Sequence, residues 1–109
     1  MRATAWHNGG PTDTAGGYGI KFTPADRDRD FDQSWSDVVL DLDGAGSVRV
    51  ELTPSFWRKC SELRSAEIGA WLLAQGAAPW PKSNTPGIAI NRISDNRFSA
   101  RVIITRAVL

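Results

Sequence analysis

The sequence predicts an α+β domain: a mostly antiparallel sheet of four to six strands packed on one long helix, in the order β(β)ββ-α-ββ. Three observations carry this expectation. The stretch Thr53 to Gly76, TPSFWRKCSELRSAEIGAWLLAQG, has an apolar stripe at helical spacing together with a start and a stop signal. Runs that alternate apolar and polar residues flank it on both sides, with turn formers between them. Strand-like and helix-like segments do not alternate along the chain, which argues against parallel βαβ units.

Taken in order, Ala3 to Trp6 reads as a short strand. It runs into the turn formers Asn8-Gly9-Gly10-Pro11 and Gly16-Gly17. Tyr18, Ile20 and Phe22 alternate with Gly19 and Lys21, the period of a half-buried strand, which Pro24 ends. ADRDRDFDQSWSD follows as an acidic connector. Val38 to Leu42 is a strand, Asp43-Gly44-Ala45-Gly46 a turn, and Val48, Val50 and Leu52 alternate with Arg49 and Glu51 in the return partner. Asp41 and Arg49 are placed to face each other on the polar side of this hairpin.

Thr53 suits the N-cap of the long helix, Pro54 its first turn and Gly76 the left-handed residue that closes it. At 100° per residue, Trp57, Cys60, Ile68, Trp71 and Leu72 fall in one sector, with Phe56 and Leu63 at its edge. Arg58, Lys59, Glu62 and Ser65 lie opposite. Arg64 breaks the pattern by sitting within the apolar sector, with Glu67 three residues on at its border. A charge directed into a core costs several kcal/mol unless it is paired. Three arrangements satisfy that: a carboxylate such as Glu67 pairs with Arg64; or Ser65 caps a second helix and the side chain escapes; or Arg64 faces a cleft and binds an anionic group.

After the helix, AAPWPKSNTPG carries three prolines and no periodicity, so it is a loop crossing back over the sheet. Ile88 to Ile93 and Phe98 to Thr105 form a second hairpin about Ser94-Asp95-Asn96. Phe98, Ala100, Val102 and Ile104 take one face, and Ile103 makes the other apolar as well, as in a central strand or a subunit contact.

The 109 residues make one domain, residues 1–109, with a formal net charge of +1. That balance excludes a strongly basic nucleic-acid binder overall but leaves room for a local patch. One cysteine excludes an internal disulfide, and the absence of a leader-like or long apolar run implies a cytoplasmic protein with no membrane partner. Five tryptophans are the compositional oddity. Trp57 and Trp71 are expected in the core, and Trp6, Trp35 and Trp80 half-exposed.

No catalytic set is found. Asp26, Asp28, Asp30 and Asp32 alternate as calcium ligands do, but Phe31 occupies the position that needs glycine. Cys60 and His7 are too few for zinc, and Cys60 lies away from a helix N-terminus where its thiolate would be favoured. No cofactor or metal is therefore expected. Charge is uneven instead: seven Asp against two Arg between Asp26 and Asp43, and Lys82, Arg92, Arg97, Arg101 and Arg106 against Asp95 alone from Trp80 onward. The expectation is a small non-enzymatic interaction module that self-associates through the C-terminal hairpin and the Trp80-Pro81-Lys82 loop. The alternatives are nucleic-acid binding by Arg92, Arg97 and Arg101 with Trp80 stacking on a base, and a ligand or hydrolytic pocket built on Arg64, Glu67, Cys60 and His7.

Overall fold

A computed structural model describes residues 1–103. Seven strands form one sheet: β1 (Arg2–His7), β2 (Tyr18–Lys21), β3 (Asp37–Leu42), β4 (Gly46–Glu51), β5 (Glu62–Arg64), β6 (Gly87–Ser94) and β7 (Arg97–Ile103). Their spatial order is β4-β3-β7-β6-β1-β2-β5. All pairs are antiparallel except β3 with β7, which is parallel, so the sheet is mixed. It curls until its edge strands β4 and β5 approach each other, nearly closing a barrel around the core. The helices are short: α1 (Pro24–Asp30), α2 (Pro54–Arg58) and α3 (Ala66–Ala74).

The expected sheet of four to six strands on one long helix is thus corrected in both parts. Residues 53–76 are α2, then β5, then α3. The physical reason lies at Ser61 to Arg64. Phe22 N–H donates to Ser61 O at 2.8 Å and the Ser61 hydroxyl donates back to Phe22 O, so the chain is drawn into the ladder beside β2. Leu63 then faces inward opposite Ile20. Phe56, Leu63 and Ile68 are all buried, but from three different elements, so a single helical wheel merged three separate inward positions. Ser65 caps the second helix: its Oγ accepts from Glu67 N–H at 3.1 Å and Ile68 N–H at 3.3 Å. The Arg64 side chain escapes to solvent rather than entering the core.

The acidic connector is helical at its start. Thr23 accepts from Asp26 N–H at 3.1 Å with Pro24 in the first turn, the same Thr-Pro signature that opens α2 at Thr53 and Pro54. The first hairpin forms as expected, but Asp41 lies opposite Ser47 and Arg49 opposite Val39. Strand β7 is interior, between β3 and β6, with Phe98, Ala100 and Val102 turned into the core and Ile103 half-buried on the outer face. Its expected continuation through Ile104 and Thr105 lies outside the described residues.

Inside the barrel, Phe22, Phe31, Phe56 and Phe98 form an aromatic cluster where β2 and β4 end, with Phe31 stacked on Phe98 at 5.0 Å. At the opposite end α3 inserts Ile68, Trp71 and Leu72, and Trp71 Nε1–H donates to Asp43 O at 2.9 Å. Gly69 sits in mid-helix because a Cβ there would overlap the carbonyl of Ala15, so the 8–17 loop packs directly on the backbone of α3.

Candidate functional site: an uncompensated cationic face

Register divides the outer face of the barrel into two halves. On the side of β3 and β4, arginines meet carboxylates. Arg97 is held by Asp41 through Nε–H at 2.9 Å and Nη2–H at 2.6 Å, and its Nη2–H also reaches Ser47 Oγ at 3.0 Å. These bonds, Arg97 first and the Ser47 hydroxyl second, hold the Asp41 carboxyl below its ordinary range and raise Arg97. Arg49 pairs with Asp37 at 2.9 Å. In α1, Arg29 bridges Asp26 and Asp30, which lowers the Asp30 carboxyl, while Arg27 binds Asp28 and donates to Phe56 O at 3.0 Å. The acidic run between Asp26 and Asp43 therefore consumes cations from its own segment, from β4 and from β7.

The strands β7, β6, β1, β2 and β5 present the opposite situation. Arg101, Arg2, Lys21 and Arg64 are exposed, and among the described residues none lies in a salt bridge. Arg101 and Arg2 share a row through Ala89, Lys21 lies beside Thr4 one pair further along β1, and Arg64 ends the Trp6–Gly19–Arg64 row. With strands about 4.8 Å apart and about 3.3 Å per residue, successive cations on this diagonal are roughly 8 to 10 Å apart. The residues between them are small, being Ala89, Thr4, Gly87 and Gly19, and the Arg2 guanidinium lies on Gly87. Glu62, opposite Lys21, is the one carboxylate on these rows, and it is buried.

Trp6 supplies an aromatic plate on the same face. The Arg64 guanidinium lies over its indole, 5.2 Å from the ring centroid, and the two side chains meet above Gly19, which separates them in the sheet. Gly19 is required there, since a Cβ would run into the carbonyl of Leu63.

The residues singled out from sequence fare unevenly. Arg64 and Arg101 belong to this face. Glu67 does not pair with Arg64: it accepts a hydrogen bond from the Ser65 hydroxyl at 2.7 Å, which together with its own backbone amide lowers its carboxyl. Arg97 is neutralised, and Arg92 lies over Trp35 at 5.3 Å while its Nε–H donates to Asp95 O at 2.7 Å. Lys82 is exposed in the loop after α3. Trp80 is half-buried against Tyr18 and His7, with ring centroids 5.7 and 6.5 Å away. Trp57, expected in the core, is half-buried beneath Arg27 at 5.9 Å.

His7 and Cys60 are not brought together. His7 faces Tyr18 at one end of the β1–β2 pair, whereas Cys60 precedes β5 at the other. The imidazole serves the 8–17 loop: Gly9 N–H donates to Nδ1 at 3.2 Å, and Nε2 lies 3.3 Å from Pro11 O. Tyr18 donates to Thr12 O at 2.8 Å, and burial, followed by the charge of Asp13, raises its phenol.

Sequence reasoning missed Arg2, Lys21 and Trp6. The available signal was the alternation itself, which places all three opposite to the inward Ala3, Ala5 and Ile20. Comparison with family models, curated proteins and solved structures gave no match, so the geometry of the face carries the functional argument.

Proposed function

We propose that the protein is a binding module for single-stranded nucleic acid, and that the diagonal Arg101–Arg2–Lys21–Arg64 with the Trp6 plate is its contact surface. The observation that supports this is selective neutralisation. Carboxylates cancel the arginines on one half of the barrel and leave the other half cationic, in a molecule whose net charge is only +1. A row of unpaired cations tracks a phosphate backbone, and an indole carrying a guanidinium stacks on a base without reading its identity.

This moves the nucleic-acid surface away from the C-terminal hairpin. Arg97 and Arg92 are engaged elsewhere, and only Arg101 is retained. It also removes the motive for self-association through β7, since that strand is interior to the sheet. The test is fluorescence anisotropy of a labelled oligothymidylate at low salt, paired with Trp6→Ala. Loss of a stacking platform is expected to weaken binding by about 1–3 kcal/mol. Absence of any binding at roughly 100 μM protein, the weak end of non-specific affinity, overturns the proposal.

A further inference from the structure

The near-closed barrel has a seam, and the seam is open at one end. Strands β4 and β5 are the two edges of the sheet. Beyond Arg64 the chain leaves the sheet as α3, so the upper part of β4 faces a helix rather than a strand. Between them lies a hollow of about 340 Å³ bordered by Leu42, Gly46, Val48, Ala70, Trp71 and Glu67.

The edge of β4 borders this hollow at Gly46, Ser47 and Val48 and continues past it through Arg49 to Glu51, with unused hydrogen-bonding groups along it. Leu52 N–H donates to Ser36 O at 2.9 Å, which sets the alternation of the β3–β4 ladder. The hydrogen-bonded pairs then fall at Val38 with Val50, Leu40 with Val48 and Leu42 with Gly46. Ser47, Arg49 and Glu51 consequently turn their N–H and C=O groups away from β3, and among the described residues these groups have no backbone partner. An exposed edge with unsatisfied donors and acceptors is a template for one more strand.

We propose that this seam binds an extended peptide of another protein by strand addition to β4, with alternate apolar side chains entering the hollow over Trp71 and Val48 and a basic side chain meeting Glu67. The occupant follows from three features. The unpaired groups call for extended backbone; the apolar lining calls for aliphatic side chains at every second position. Glu67 is the one charged group bordering the hollow, and it selects a cation. Because α3 walls the hollow opposite β4, a lone segment fits where the sheet edge of a second folded copy is obstructed. The bonds that Trp71 Nε1–H and Gln75 Nε2–H donate to Asp43 O, at 2.9 and 3.1 Å, fix this wall against the β3–β4 turn.

The probe is the acetylated, amidated heptapeptide Lys-Thr-Val-Thr-Val-Thr-Val, and the readout is amide hydrogen exchange followed by NMR. With peptide at roughly ten times its Kd, exchange at Ser47, Arg49 and Glu51 is expected to slow about tenfold, because only the bound state protects them. An oligonucleotide should leave these three amides unchanged, so failure here and failure of the cationic face are separable. Ala70→Arg, on the exposed side of α3, fills the hollow and should abolish the protection. Glu67→Lys should weaken binding of the Lys peptide, and the same peptide with Glu in place of Lys should recover it; this swap decides the matter if Ala70→Arg does not fold. No protection at the three amides, protection that survives Ala70→Arg in a folded variant, or no recovery in the swap overturns the proposal.

Discussion

The cationic diagonal makes a quantitative prediction through counterion release. Each phosphate neutralised on a single strand contributes about −0.7 to the slope of log K against log salt, so contacts by Arg101, Arg2, Lys21 and Arg64 give a slope of about −2.8. Between 50 and 200 mM salt, affinity for an oligothymidylate should then fall roughly 50-fold. The double variant Arg2→Gln/Lys21→Gln removes the two central cations, which are exposed and, among the described residues, lie in no salt bridge. Its slope should be about −1.4, and its affinity should fall only about 7-fold over the same range. Arg97→Gln is the control, since Arg97 is already neutralised by Asp41. Its slope should stay near −2.8, whatever the change in affinity. Anisotropy titrations at several salt concentrations measure all three. A double variant that keeps the full slope, or an Arg97→Gln slope that falls as far as the double variant's, would refute the assignment of this face.

Arg64→Met should leave stability within about 0.5 kcal/mol in chemical denaturation, because its side chain is at the surface, yet make the salt slope shallower by about 0.7. Gly69→Ala should destabilise by roughly 3 kcal/mol or more, since the new Cβ displaces either α3 or the backbone at Ala15; a loss under about 0.5 kcal/mol would show that the loop does not rest on the helix. Phe31→Ala should cost about 3–5 kcal/mol, as Phe31 touches Phe22, Phe56 and Phe98 at the closed end of the barrel. Asp41 and Asp30 have folded pKa values below their unfolded values, so between the two the unfolded chain holds the extra proton. Their contribution is complete at neutral pH and is lost as pH falls through about 4 and below; thermal melts should show a shallower acid decline for Asp41→Asn than for the parent chain.

The first hairpin was legible: Val48 to Leu52 alternates cleanly, Val38 to Leu42 is a short apolar run broken by Asp41, and the turn at Asp43 to Gly46 joins them as expected. The long helix failed because inward residues at suitable spacings satisfy a helical wheel whether they come from one element or several. Phe56, Leu63 and Ile68 are such a set. Two local marks pointed the other way: a guanidinium within the apolar sector, and a capping serine directly after it, followed by an acidic residue in the next turn. The repeated Thr-Pro pair at Thr23-Pro24 likewise announced α1. For the candidate site, Arg64 and Arg101 could be named from sequence, but their separation from Arg97 could not. That distinction depends on Asp41, 56 residues away, which reaches Arg97 only through the parallel β3–β7 pairing. Long-range pairing of this kind leaves no mark in local periodicity.

The placement of β7 also governs how the chain assembles. The hairpin of β3 and β4 is hydrogen-bonded to the rest of the sheet through β7, which follows every other strand among the described residues. During synthesis the β3–β4 hairpin has no strand pairing to the rest of the sheet until residues 97–103 have left the ribosome. Closure is therefore a late, non-local event, slower than helix formation or local hairpin zipping. A nascent chain stalled before Arg97 would hold two separate hydrophobic surfaces, each a target for chaperones.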